Sequence, residues 1–161
     1  TANDTVVLKK ILSEETTSLA VNTEDAGTAF RFLLAYFAIQ EGRNTTLYGS
    51  NRMHERPIAD LVQALQQLGA EISYVQTPGF PPVNIKGKKL KGGKVSISGS
   101  VSSQFISALC MIAPLLESGL DIEILPPFVS KPYVDMTLSV MKSFGVKAYF
   151  KNNKIKIKNR T

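Results

Sequence analysis

One cysteine, Cys110, excludes an internal disulfide, and together with a lone histidine, His54, it leaves no ligand set at zinc spacing. No apolar run is long enough to cross a bilayer, and no signal-peptide pattern opens the chain, so neither membrane insertion nor secretion is expected and the cytoplasm is the expected compartment. There is no Ser-His-Asp set, no Walker loop and no dinucleotide fingerprint. Any chemistry would then rest on orientation and charge stabilisation rather than on a covalent nucleophile. Charged residues make up 20% of the 161 and hydrophobic ones 43%, which excludes a disordered chain and provides enough apolar surface for a sizeable core. The chain opens on Thr1, and the expectation is a segment trimmed from something longer.

What is present is positive charge, a net +6. Much of it comes from Lys86, Lys88, Lys89, Lys91 and Lys94 and from Lys151, Lys154, Lys156, Lys158 and Arg160. Many of these alternate with Val, Ile or Leu, the pattern of a half-buried strand with one wet face. The charge favours anionic partners, and no aromatic interleaving or zinc spacing supports a nucleic-acid module.

The stretch Gly99-Ser100-Val101-Ser102-Ser103-Gln104-Phe105 organises the rest. A short β run, Lys94 to Ser98, ends at Gly99, and hydroxyls and a carboxamide lead into a dense apolar helix expected over Ser102 to Leu116. A helix beginning of this kind attracts anions, because its first N–H groups lack partners and the macrodipole is positive there. Read locally, Ser102 and Ser103 need only be caps.

A counterpart occurs earlier. A short helix over Thr5 to Leu12, capped by Asn3 or Asp4, and a strand over Ser18 to Val21 lead to Asp25-Ala26-Gly27-Thr28-Ala29-Phe30-Arg31, which opens an apolar helix to about Gln40. Strand Thr45 to Tyr48, a polar loop over 49–56, a helix with Pro57 in its first turn, and strands Glu71 to Val75 and Val83 to Lys86 follow. The second half repeats the order: strand 94–98, helix, strand Asp121 to Leu125, loop 126–131, helix Pro132 to Phe144, then strands Val146 to Phe150 and Lys154 to Lys158 across Asn152-Asn153. Phe30 and Phe105 lie 75 residues apart, as do Pro57 and Pro132 and Asp60 and Asp135. The expectation is an α/β fold of two pseudo-symmetric βαβαββ units, 22–88 and 89–161, within one partial domain, with 1–21 as a lead-in. Equivalent positions should then face one region, so that Gly27-Thr28 pairs with Ser102-Ser103 and the loop ending in Arg56 pairs with the loop carrying Ser130-Lys131.

Each candidate also has a plainer reading. Arg52 or Arg56 can grip a phosphate with two parallel hydrogen bonds, or pair with Glu55 on the surface. Tyr133 can pack in the core or stack on a ring. His54 reads as a loop residue and Cys110 as a small core residue.

Asp25 to Arg31, Arg52-Met53-His54-Glu55-Arg56-Pro57-Ile58, Gly99 to Phe105 and Ser130-Lys131-Pro132-Tyr133 resemble the N-terminal domain of the 5-enolpyruvylshikimate-3-phosphate synthase family from about Asn22 onward. The resemblance implies that an enolpyruvyl group moves from phosphoenolpyruvate to the 5-hydroxyl of shikimate 3-phosphate, with release of phosphate and without metal or cofactor. It implies that Ser102, Ser103, Gln104, Ser130 and Tyr133 hold shikimate 3-phosphate, and that Gly27, Thr28, Arg56 and Gln104 line the phosphoenolpyruvate pocket. It also implies helices packed centrally with sheets outside, and a monomer at full length. The general acid-base Asp, a Lys-Glu pair and further arginines belong to a second domain that this stretch lacks, so these 161 residues are expected to fold without catalysing. The family usually carries an uncharged residue where this chain has Asp25, and a carboxylate there repels the ligand unless it points away. A UDP-N-acetylglucosamine enolpyruvyl transferase, which needs a catalytic cysteine in a mobile loop, and a non-catalytic anion-binding module are the alternatives.

Overall fold

Burial alternates strictly along Val83–Lys86 and Lys154–Ile157, with Val83, Ile85, Ile155 and Ile157 covered and Asn84, Lys86, Lys154 and Lys156 exposed. A strand puts successive side chains on opposite faces, so each sheet has one apolar and one wet face. The computed structural model describes residues 2–13 and 19–160. In chain order its elements are α1 (Asn3–Ser13), β1 (Ala20–Asn22), α2 (Gly27–Ala38), β2 (Asn44–Tyr48), α3 (Asn51–His54), α4 (Ala59–Gln67), β3 (Glu71–Tyr74) and β4 (Val83–Lys86). Then come β5 (Gly93–Ser98), α5 (Ser103–Ile112), a 3-10 turn (Ala113–Leu115), β6 (Leu120–Leu125), α6 (Lys131–Ser143), β7 (Ala148–Lys151) and β8 (Lys154–Ile157).

The strands form two four-stranded sheets, ordered β1-β2-β4-β3 and β5-β6-β8-β7. In each, the first pair is parallel and the other two pairs are antiparallel. A parallel pair needs a crossover, supplied by α2 and by α5. Both are apolar on nearly every side, as a helix buried in the middle of a domain must be. Phe30, Leu33, Leu34 and Phe37 of α2 and Phe105, Ile106, Leu109 and Cys110 of α5 are all buried. The two helices pack on each other, α6 packs on α5, and α2 also lies on β2 and β4. The crossover helices are therefore inside and the wet faces of the sheets outside, as the resemblance implied, while α1 and α6 each bury only one side.

The unit-to-unit correspondence extends to detail. Gly69 and Gly145, 76 residues apart, both close a helix with positive φ, 92° and 83°. Asn152 and Asn153, with φ of 51° and 56°, make the turn between β7 and β8. The two units are also joined laterally. β5 is an edge strand, and the Gln67 carboxamide at the end of α4 both accepts from and donates to the Ser96 backbone, at 3.1 and 3.2 Å, occupying groups an edge leaves open.

The strand lysines lie on the outer faces. Lys86 and Lys88 flank Glu71, Lys154 meets Glu123 and Lys156 meets Asp121. Exposed pairs of this kind are screened by solvent, so they solubilise the faces more than they hold the fold.

Several sequence expectations are corrected. The segment 49–56 is not wholly loop: Ser50 accepts the Met53 N–H and caps the turn α3, while Met53 is fully buried. Pro57 is not in the first turn of the next helix, because α4 begins at Ala59. The expected helix to Leu116 is shorter: α5 stops at Ile112, and Pro114 sits in the 3-10 turn that follows. Neither Asn3 nor Asp4 caps α1, whose first amides bond to the Ala2 carbonyl. The first strand begins at Ala20, and Ser18 lies outside the described residues.

Candidate functional site

The carboxyl ends of two adjacent parallel strands are where an α/β sheet opens a crevice. In the second unit Gly99 follows β5 and its N–H bonds to Leu125 at the end of β6. A Cβ there would lie 2.8 Å from Ile124 Cγ2 and 2.9 Å from the carbonyls of Leu125 and Pro127. Only glycine lets the two loops approach so closely. Val129 N–H then bonds to the Gly99 carbonyl, which brings Ser130 beside the loop leading to Ser102 and Ser103. The first unit repeats the device, with Ser50 N–H bonded to the Glu24 carbonyl across the ends of β1 and β2.

Ser102 is the N-cap of α5, its Oγ accepting the Gln104 N–H at 3.2 Å. The local cap reading is therefore met. Ser103 and Gln104 occupy the first turn, and all three are half-buried. Ser130 holds the cap position of α6 without a side-chain cap bond. Tyr133, one turn in, is 63% exposed, so it is not a core residue. α5 and α6 are pinned by a 2.8 Å hydrogen bond between Ser107 and Thr137, and Thr137 also donates to the Tyr133 carbonyl. Lys131 is committed to Asp135 at 2.6 Å and to the Phe150 ring.

The junction between the units is direct. Gln104 Nε2 donates to Thr28 Oγ1 at 3.0 Å, linking the beginnings of α5 and α2 across 76 residues. A Cβ on Gly27 would stand 2.4 Å from Arg56 Nη1 and 2.7 Å from Arg31 Nη1, so two guanidiniums lean on this glycine. Arg31 donates to the Gly27 carbonyl at 2.9 Å and lies over the Phe105 ring at 5.5 Å. Burial, and then the neighbouring Arg56, hold its pKa below the ordinary arginine value, while Asp4 acts the other way. Among the described residues Arg56 forms no ion pair, and the surface pairing with Glu55 is not made. Arg52 is exposed. His54 closes α3, its Nε2 facing the Gly49 N–H at 3.4 Å.

Gly27, Thr28, Arg56 and Gln104 are thus in one contact network, with Ser102 and Ser103 contiguous to it and Ser130 and Tyr133 on the neighbouring helix beginning. Asp25, feared as a repelling charge, accepts a hydrogen bond from Ser50. Two residues of this network were missed from sequence. Arg31 had a signal, a single cation on an otherwise apolar helix four residues from Gly27. Asp4 had none, since its partner is 24 residues away: Thr28 N–H donates to Asp4 Oδ2 at 2.8 Å.

Cys110 is fully buried, and burial pushes its thiol pKa up to about 12. It does not have the setting of a catalytic cysteine in a mobile loop. A disulfide reagent at pH 8 is expected to modify Cys110 at least about a hundredfold faster in urea-unfolded chain than in native chain. Equal rates would contradict the burial. Elsewhere, a concavity of about 640 Å³ on the outer face of the first sheet is floored by strand residues that already pair with each other, Thr46 with Asn84 and Glu71 with Lys86.

Fold and site define an α/β protein of two repeated units whose helix beginnings, hydroxyls and arginines converge at one junction. The chain belongs to the family of EPSP synthase (3-phosphoshikimate 1-carboxyvinyltransferase), whose model matches residues 1–160. It is 46% identical over 146 residues to the 3-phosphoshikimate 1-carboxyvinyltransferase of Bacteroides fragilis, covering 91% of this chain and 35% of that protein. With the Shewanella pealeana enzyme of that name it shares 53% over 123 residues, 76% of this chain and 29% of the relative. The fold matches a solved EPSP synthase from Acinetobacter baumannii with a TM-score of 0.76 at 23% identity, covering 89% of this chain and 31% of that one. The chain spans about a third of the length of the curated relatives it matches.

Proposed function

We propose that this chain is the part of a 3-phosphoshikimate 1-carboxyvinyltransferase that holds two phosphorylated substrates side by side. Ser102, Ser103, Ser130 and Tyr133 take shikimate 3-phosphate, Gly27, Thr28 and Arg56 take phosphoenolpyruvate, and Gln104 serves both. The observation that carries this reading is the Gln104–Thr28 hydrogen bond, with Arg56 against Gly27 beside it. It joins the polar beginnings of α2 and α5, so a ligand on one abuts a ligand on the other.

The chemistry that follows is positioning. Arg56 neutralises a phosphate with parallel hydrogen bonds, and the serine hydroxyls and first-turn amides receive the other. Two bound anions repel, and the net positive charge of the chain offsets that repulsion. The enolpyruvyl carbon is thereby held next to the shikimate 5-hydroxyl, which is the entropic part of catalysis. Proton transfer falls to groups outside these residues, in the remainder of a cytoplasmic enzyme, and the 161 residues alone form no product.

Amide and side-chain NMR titration of the chain tests the reading. Millimolar shikimate 3-phosphate is expected to shift Ser102, Ser103 and Tyr133, and phosphoenolpyruvate to shift Gly27, Thr28 and the Arg56 side chain. A response to a UDP-sugar instead would move the assignment to the UDP-N-acetylglucosamine enzyme. Silence toward all three ligands would leave a non-catalytic interaction module.

A further inference from the structure

We infer that Asp4 is a positioning residue of the anion site, holding the first turn of α2 in place so that Arg56, and not Arg31, faces the ligand; this rests on the reading of Gly27, Thr28 and Arg56 as a phosphoenolpyruvate pocket. Helix α2 opens without a cap of its own. Its N-cap position is Ala26, which has no side-chain acceptor, and the Thr28 N–H would otherwise be an open donor. The acceptor arrives from another helix, as Asp4 Oδ2 at 2.8 Å. A carboxylate at that end also matches the positive pole of the helix.

Thr28 is therefore held from two sides. Its N–H is fixed to α1 through Asp4, and its hydroxyl is fixed to α5 through Gln104. α1 itself is seated on α2, with Val7 and Ile11 buried, so the tether is anchored at its far end. The tether also bears on the arginines, because it fixes the turn whose Gly27 carbonyl holds Arg31. Arg31 and Arg56 repel each other across Gly27. Arg31 is further held by the Gly27 carbonyl and the Phe105 ring, with its Nε buried and unpaired. Its guanidinium is committed to these contacts, whereas Arg56 makes no ion pair among the described residues.

The test compares Asp4→Ala with Asp4→Asn in the 161-residue chain. Asparagine keeps an acceptor at the right place, and alanine removes it. Losing a helix cap changes a local equilibrium by roughly two- to thirtyfold. Asp4→Ala is expected to weaken phosphoenolpyruvate binding about fivefold or more, to speed Thr28 amide exchange by a similar factor, and to leave shikimate 3-phosphate binding unchanged. Asp4→Asn should stay within about twofold of wild type in all three. Wild-type phosphoenolpyruvate affinity in the alanine variant, or an asparagine variant as weak as alanine, overturns the proposal. If the wild-type chain ignores phosphoenolpyruvate, the pocket reading fails instead. Thr28 exchange then judges Asp4 by itself: unchanged protection in Asp4→Ala refutes the tether. Should Asp4→Ala not fold, Asp4→Asn with an unprotected Thr28 amide refutes it equally.

Discussion

Gly27→Ala is expected to lower phosphoenolpyruvate affinity by roughly 10- to 150-fold while the chain melts at or slightly above the wild-type temperature. The two effects separate because of what the added methyl meets. It would stand 2.4 Å from Arg56 Nη1 and 2.7 Å from Arg31 Nη1, the tips of long side chains, not the backbone. Tips can swing away, so the fold survives. Gly27 opens α2, where alanine is the better helix former by about 0.5–1 kcal/mol, so stability holds or rises. The arginines cannot stay where they are. A hydrogen bond to a charged group contributes about 1.5–3 kcal/mol, and losing Arg56 from its position forfeits roughly that, about 10- to 150-fold in affinity. Isothermal titration with phosphoenolpyruvate, beside thermal unfolding of the same sample, checks both halves. Affinity within twofold of wild type would mean that Arg56 does not face the ligand from this position.

Phe30→Ala is expected to cost about 3–5 kcal/mol of stability, enough to leave the chain marginally folded at 25 °C. Phe30 is fully buried on α2, at the seam where α2 packs on α5 between the two sheets. Its counterpart 75 residues on, Phe105, is 2% exposed in the same seam. Neither helix can shift to refill the space, since Thr28–Gln104 and Thr28–Asp4 bonds pin their beginnings. The cavity therefore persists, which places the loss high in the usual range. In urea the midpoint should fall by roughly 1.5–2 M with little change in slope. Tyr133→Ala, removing an exposed ring, should stay within about 0.5 kcal/mol of wild type. A Phe30→Ala loss below about 1 kcal/mol would mean that this seam is not the centre of the core.

Much of this was legible because the signals are local. Both buried helices announce themselves by apolar residues on all sides, and the outer strands by strict alternation with lysine. The 75-residue offset exposed the duplication without any knowledge of contacts. Where local signals conflicted or were weak, the reading slipped. Three of the four residues of Asn51–His54 are polar, and only the buried Met53 and the Ser50 cap make it a turn of helix. Pro57 marks a helix start, yet α4 begins two residues later, because the fully buried Ile58 is held outside helical geometry at φ −134° with its N–H bonded to the Gly79 carbonyl. Asp4 looked like a cap for its own helix, an inference any local rule would support; instead it caps another.

By itself the sequence determined the α/β class, the repeat, the apolar helices, the wet lysine faces and the family, since each depends on residues near one another or on a motif that is contiguous. Tertiary structure alone decided that Gln104 meets Thr28, that Gly27 seats two arginines, that Arg31 turns inward over Phe105, and that Asp4 rather than Ala26 closes the start of α2. Those are pairings between helices whose separation along the chain says nothing of their distance in space, and only the packing of one unit on the other sets which polar groups are left to find each other.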